Sequence, residues 1–159
     1  MTTAPTLTGQ IITNLPFVTK EGESRNFKQM QGKNFVLYFY PKDNTPGCTQ
    51  ESKEFAELYS QFLATDTEIF GISRDNLKSH DKFRCKYDLP FQLISDADQA
   101  ICHYFSVLKE KNMFGIKSMG IERSTFLIDK KGIIRQEWRK VKPQGHAAEV
   151  LAAVNKLGQ

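Results

Sequence analysis

The sequence predicts an α/β protein, with a mixed central sheet, helices on both faces and a β-hairpin near the N-terminus. Three observations lead there. The run Phe35–Tyr40 is continuous, apolar and aromatic, which is how a strand buried on both faces reads. Strand-like and helix-like segments then alternate as far as Phe105, which implies parallel pairing through crossovers. Later, two strand-like runs flank Asp129-Lys130-Lys131-Gly132, a hairpin signal that adds antiparallel partners.

Taken in order, residues 9–31 alternate loosely around the turn signal Lys20-Glu21-Gly22-Glu23, so the first hairpin is placed there. The strand Phe35–Tyr40 ends at Pro41, which cannot donate to a ladder. From Cys48 to about Leu63, Phe55, Leu58, Tyr59 and Phe62 recur at helical spacing, and Cys48 shares their inward face. A second strand, Thr67–Ser73, leads into a helix of about Leu77–Tyr87 that stops near Pro90. A short strand at Phe91–Ile94 and a short helix carrying Ile101 and Phe105 follow. Lys109–Gly120 lacks a clean period and holds two glycines, so it is expected to be a loop. Strands at Ser124–Ile128 and Ile133–Trp138 form the late hairpin, and Ala147, Val150, Leu151 and Val154 mark a final amphipathic helix.

At 159 residues the chain is one domain's worth, and residues 1–159 are expected to form a single domain with its own core. It is 40% hydrophobic and 25% charged, with no apolar run near the ~18 residues a membrane span needs. Met1–Thr8 has no basic region followed by a hydrophobic stretch, so it does not read as a secretory signal and a cytoplasmic location is expected. The net charge of +4 is spread along the chain, and no basic run is interleaved with aromatics, which argues for a solvated surface over a nucleic-acid partner.

Three cysteines at irregular spacing do not make a secreted disulfide framework; they suit thiols kept reduced, with any disulfide transient. Cys48 has the most informative setting, Pro41-Lys42-Asp43-Asn44-Thr45-Pro46-Gly47-Cys48-Thr49, between a strand and a helix. In the first turn of a helix, unpaired N–H groups and the positive end of the dipole favour thiolate over thiol. Cys48 is therefore a candidate nucleophile. Cys102 borders the Ile101 and Phe105 stripe and is expected to pack in the core. His80 and His146 are expected at the surface or at helix caps, without a role as catalytic bases. Metal binding through Cys48, Cys85, Cys102 and His103 is disfavoured because close ligand pairs are lacking. No metal or cofactor is expected.

The spacing Pro41-x-x-x-Thr45-x-x-Cys48 matches the peroxiredoxin active-site signature, and Tyr38–Thr49 resembles the bacterioferritin comigratory protein, or Q, subfamily. Gly71–Asp75, Leu93–Asp98 and Gly120–Asp129 resemble the same subfamily in order and spacing, so the likeness spans nearly the whole chain. The resemblance implies a thioredoxin-like fold and reduction of hydroperoxides, with thioredoxin or a similar dithiol protein as reductant and a monomeric state. Residue by residue, it makes Cys48 the peroxidatic cysteine and Thr45 a hydrogen-bond partner for thiolate and peroxide. Pro41 becomes a shield of the pocket and Arg123 the cation beside the sulfur.

For the resolving cysteine the resemblance leaves alternatives. Many subfamily members carry it five residues after the peroxidatic one, where this chain has Lys53; Glu51 fills the second position of a would-be C-x-x-C pair and excludes dithiol exchange through it. A second arrangement places it on the helix after Ser73-Arg74-Asp75, which here carries Cys85, although Arg84 intervenes between Phe83 and Cys85. At ~100° per residue, Cys85 points roughly 150° from Leu77, Phe83 and Tyr87 and is expected to be exposed. Resolution by Cys85, a one-cysteine cycle with an external thiol, and a peroxide sensor with little turnover all remain open at this level.

Overall fold

The chain is described by a computed structural model over residues 6–157. Its centre is β3 (Asn34–Phe39), buried along its whole length. Side chains of successive strand residues face opposite ways, so β3 feeds two cores. Phe35, Leu37 and Phe39 join one cluster, with Phe17, Phe27, Phe70, Phe105 and Phe126. Val36 and Tyr38 join the other, with Tyr40, Cys48, Phe55, Phe62 and Val150.

The remaining strands of the central sheet are β4 (Thr67–Ser73), β5 (Gln92–Ser95), β8 (Ser124–Ile128) and β9 (Ile134–Trp138), in the order β5-β4-β3-β8-β9. β3 pairs parallel with β4, and β4 with β5; β8 pairs antiparallel with both β3 and β9. The sheet is therefore mixed, as expected. One face is covered by α1 (Pro46–Ala64), α2 (Leu77–Tyr87) and α4 (His146–Leu157). The other is covered by α3 (Ala100–Tyr104) and by the segment 7–30, which holds the hairpin β1 (Pro16–Lys20) and β2 (Glu23–Asn26). This is the thioredoxin-like arrangement. Among the described residues no helix is long and apolar enough to cross a membrane.

Residues 109–120 depart from the expected loop. They belong to a second hairpin, β6 (Leu108–Met113) and β7 (Ile116–Ile121), paired from Leu108–Ile121 to Met113–Ile116. The reason it was not legible is that the ribbon projects from the sheet. Among the described side chains only its base, at Gly120 and Ile121, is buried, while Ile116 and Met119 are exposed, so no apolar face imposes a period of two. Phe114 and Gly115 turn the chain with positive φ at both, the geometry of a tight hairpin turn usually written Asn-Gly.

Candidate active site

The first turn of α1 follows the loop that leaves the carboxyl end of β3. Pro46 and Gly47 open the helix, with Thr45 extended at its N-cap and Cys48 in its first turn. Proline suits this place because its missing N–H has no intrahelical partner there in any case. The first helical bond runs from Thr49 N–H to the Thr45 carbonyl at 2.8 Å. The amides of Gly47 and Cys48 thus stay among the unpaired donors of a helix start, beside the Cys48 sulfur. Cys48 itself is 1% exposed, among Tyr38, Phe55 and Ala147.

Arg123, in the short link between β7 and β8, reaches across to this helix start. Its Nη2 donates to Cys48 Sγ at 3.3 Å and its Nη1 to Glu51 Oε1 at 2.8 Å. Burial works against the guanidinium charge, but Glu51 and Cys48 more than offset it, so Arg123 is pushed above its ordinary value. Glu51 is fully buried on α1 and its Oε2 has no hydrogen-bond partner among the described residues. Burial raises its carboxyl to about 7, against the pull of Arg123. Near neutral pH one guanidinium therefore bridges a sulfur and a carboxyl group poised between charged and neutral.

Gly47 makes room for this bridge. A Cβ built there would stand 3.1 Å from Arg123 Nη2 and 3.4 Å from Pro143 Cγ. The loop carrying Pro143 is in turn anchored to Arg123, whose carbonyl accepts from Val141 N–H at 2.9 Å.

The other expected site residues lie as follows. Pro41 is half-buried in the bend after β3. Thr45 does not cap α1 with its side chain; its hydroxyl donates to the Lys42 carbonyl at 2.8 Å, which leaves the oxygen lone pairs open as acceptors. Sequence reasoning missed Glu51 as a site residue. The signal was a carboxylate three residues after Cys48 on the inward stripe of α1. It also misplaced both histidines, which are interior. His80 is 1% exposed between Asp43 and the Ile94 carbonyl, and His146 is 4% exposed with Nε2 at 2.8 Å from Thr125 Oγ1. Each is buried because a fixed polar partner satisfies its ring nitrogens.

Comparison with known proteins places this arrangement. A model of the AhpC/TSA family matches residues 2–137. The chain is 48% identical over 141 residues to Peroxiredoxin Bcp of Xanthomonas campestris pv. campestris, covering 89% of this chain and 88% of that one. It is 44% identical over 151 residues to Peroxiredoxin Bcp of Bacillus subtilis, covering 95% and 96%. The chain belongs to the AhpC/TSA family, as a peroxiredoxin of the Bcp/Q branch.

Solved structures agree with that assignment. A structure described as giving insights into the alkyl peroxide reduction activity of the Xanthomonas campestris bacterioferritin comigratory protein superposes with a TM-score of 0.86 at 44% identity, covering 99% and 98% of the two chains. A cysteine-to-serine mutant of PrxQ from Xylella fastidiosa superposes with a TM-score of 0.90 at 40% identity, covering 96% and 97%.

In this peroxiredoxin the three thiols are free and well separated in kind. Cys85 is exposed on α2, as expected from its angle. Cys102 is fully buried in the core on the opposite face of the sheet from Cys48. Burial and the adjacent Asp96 push its thiol far up, so it is held protonated. Lys53 is exposed and places its ammonium 6.0 Å from the Tyr87 ring centroid on α2. Among the described residues the grouping of ligand-type atoms close enough for one ion is Asp43, Asp75 and His80, which includes none of Cys48, Cys85, Cys102 and His103.

Proposed function

We propose that this peroxiredoxin reduces hydrogen peroxide and organic hydroperoxides at Cys48, resolves the product with Cys85, and is recycled by thioredoxin or a similar dithiol protein. The observation that carries this is the Arg123 bridge onto a sulfur in the first turn of α1. Arginine keeps its proton, so its guanidinium, 3.3 Å from the Cys48 sulfur, sets a fixed positive charge and a fork of donors where the nucleophile and the peroxide oxygens meet.

The thiolate attacks one oxygen of the hydroperoxide. The O–O bond breaks, Cys48 becomes a sulfenic acid, and the leaving alkoxide or hydroxide takes up a proton to form alcohol or water. The guanidinium and the amides of Gly47 and Cys48 stabilise charge as it develops on the leaving oxygen. Thr45, its own proton committed to Lys42, accepts the O–H of the peroxide and orients it, while Pro41 limits water at the sulfur. The Xanthomonas campestris relative is described as reducing alkyl peroxides, which supports organic substrates for this chain.

Cys85 then attacks the Cys48 sulfur, giving an intramolecular disulfide and water. Cys102 is the weaker candidate because the sheet lies between it and Cys48 and its thiol is held protonated. The exposed Cys85 sulfur gives a reductant access to the disulfide. The chain acts as a single-domain monomer, since an intramolecular disulfide needs no second copy, and in the cytoplasm, where thiols are kept reduced.

Steady-state peroxide consumption with thioredoxin, its reductase and NADPH tests this. Turnover is expected, and Cys48→Ser abolishes it. Fast oxidation of Cys48 with negligible turnover would replace the enzyme with a sensor.

A further inference from the structure

The loop that delivers Cys48 to the start of α1 is fastened to α2, the helix of Cys85, through one buried carboxylate. Asp43 and His80 have side chains 3% and 2% exposed, with Oδ2 and Nδ1 2.7 Å apart. The same Oδ2 accepts from Ser79 Oγ at 2.8 Å, and Oδ1 accepts from the Tyr40 hydroxyl. The Asp43 amide donates to Asp75 Oδ2 at 2.8 Å, and His80 Nε2 lies 3.0 Å from the Ile94 carbonyl. A second tie lies at the other end of α2, where Asn44 Oδ1 accepts from Tyr87 hydroxyl at 3.0 Å and Lys86 Nζ at 3.3 Å. Asp43, Asp75 and His80 also place ligand-type atoms within 4.8 Å of one another. Those atoms are engaged by the hydrogen bonds just named, so the cluster is a closed polar network.

What makes this network more than scaffolding is how little else holds α2. Of its residues Leu77–Tyr87, only His80 and Phe83 are buried. A helix with two buried side chains has little apolar surface to resist local unfolding, so its polar tethers weigh heavily in how often it opens. Cys48, by contrast, is sealed in the core beneath α1 while Cys85 faces solvent. A disulfide needs Cα atoms within roughly 7 Å and Cβ vectors that converge, so a buried and an outward-facing thiol must leave these positions to pair.

We propose that Asp43 is a positioning residue of the resolution step. Through Ser79 and His80 it holds α2 folded against the Cys48 loop, and its release lets Cys85 reach the Cys48 sulfenic acid. This rests on Cys85 being the resolving thiol. In the step so gated, the Cys85 sulfur forms a bond to the Cys48 sulfur, the Cys48 S–O bond breaks, and the hydroxide leaves with the thiol proton as water. The strength of the Asp43 tether therefore sets how long the sulfenic acid persists. Excess peroxide competes in that interval, converting it to sulfinic acid.

The test uses the full chain and rapid mixing with one equivalent of hydrogen peroxide. Quenching at intervals by thiol alkylation and mass spectrometry gives the rates of Cys48 oxidation and of Cys48–Cys85 disulfide formation. A parallel series in excess peroxide gives the sulfinic fraction. In Asp43→Asn the disulfide step is expected to accelerate at least fivefold and the sulfinic fraction to fall in proportion, while Cys48 oxidation slows. Opposite effects on the two steps separate positioning from a general loss of structure, which would slow both. Ser79→Ala, which removes one donor to the same carboxylate, is expected to shift both steps the same way by a smaller factor and carries the test should Asp43→Asn fail to fold. Disulfide formation within twofold of the parent rate in the folded variants, or a slowing of both steps, overturns the gating role alone. Absence of a Cys48–Cys85 disulfide in every protein, parent included, overturns the resolving role of Cys85 and the gating with it.

Discussion

Gly47 and Arg123 meet so closely that a methyl group on Gly47 would stand 3.1 Å from the guanidinium nitrogen that donates to Cys48. The glycine is there for space: its backbone is helical, and what it omits is a side chain where the guanidinium must lie. Gly47→Ala is expected to displace Arg123 from the sulfur and lower kcat/KM for peroxide on the order of tenfold to a hundredfold. Circular dichroism should stay that of the parent. An alanine variant with unchanged kcat/KM would show that the bridge does not matter.

Arg123→Lys keeps a positive charge but loses the fork. A single ammonium cannot hold Glu51 and Cys48 as the two guanidinium nitrogens do, at 2.8 Å and 3.3 Å. The second-order rate of Cys48 oxidation is expected to fall about a hundredfold. Stopped-flow measurement with excess peroxide checks it, and a loss under about threefold would mean that charge alone suffices.

Glu51 predicts a pH dependence. Its carboxyl is raised by burial from 4.5 to about 7, so its contribution to stability is full below about 4.5 and is lost as pH rises through about 7. Glu51→Gln cannot ionise. The difference in Tm between variant and parent should therefore move in the variant's favour between about pH 5 and about pH 8. The pH–rate profile of Cys48 oxidation should likewise lose an inflection near 7. Parallel Tm curves for the two proteins would place the Glu51 pKa elsewhere.

The distribution of what was legible follows from these groups. β4, α2 and β8 are found at the boundaries that periodicity and turn residues predict, because burial on one or two faces writes those patterns into sequence. Cys48 was legible because its neighbours in sequence create its environment. The Glu51 carboxylate was not, because its role depends on Arg123, 72 residues away. His80 and His146 look like surface residues until tertiary structure supplies Asp43 and Thr125 as partners. The β6–β7 ribbon wrote no period because almost none of it is buried.

That ribbon offers a stability test. Phe114 is 96% exposed and holds φ of 55°, so it packs against little and occupies a backbone region that β-substituted residues resist. Phe114→Asn gives the turn its preferred Asn-Gly sequence and should stabilise the chain by about 0.5–1 kcal/mol. Urea titration measures it. Destabilisation would mean that the phenyl ring makes contacts in solution that its exposure conceals.

The most direct test of the proposed cycle is non-reducing peptide mapping by mass spectrometry after one equivalent of peroxide. A Cys48–Cys85 linkage within one chain is expected, with Cys102 unmodified, and the linkage should be lost in Cys85→Ser. A lasting sulfenic acid on Cys48 beside a free Cys85, or oxidation that bypasses Cys48, would contradict it.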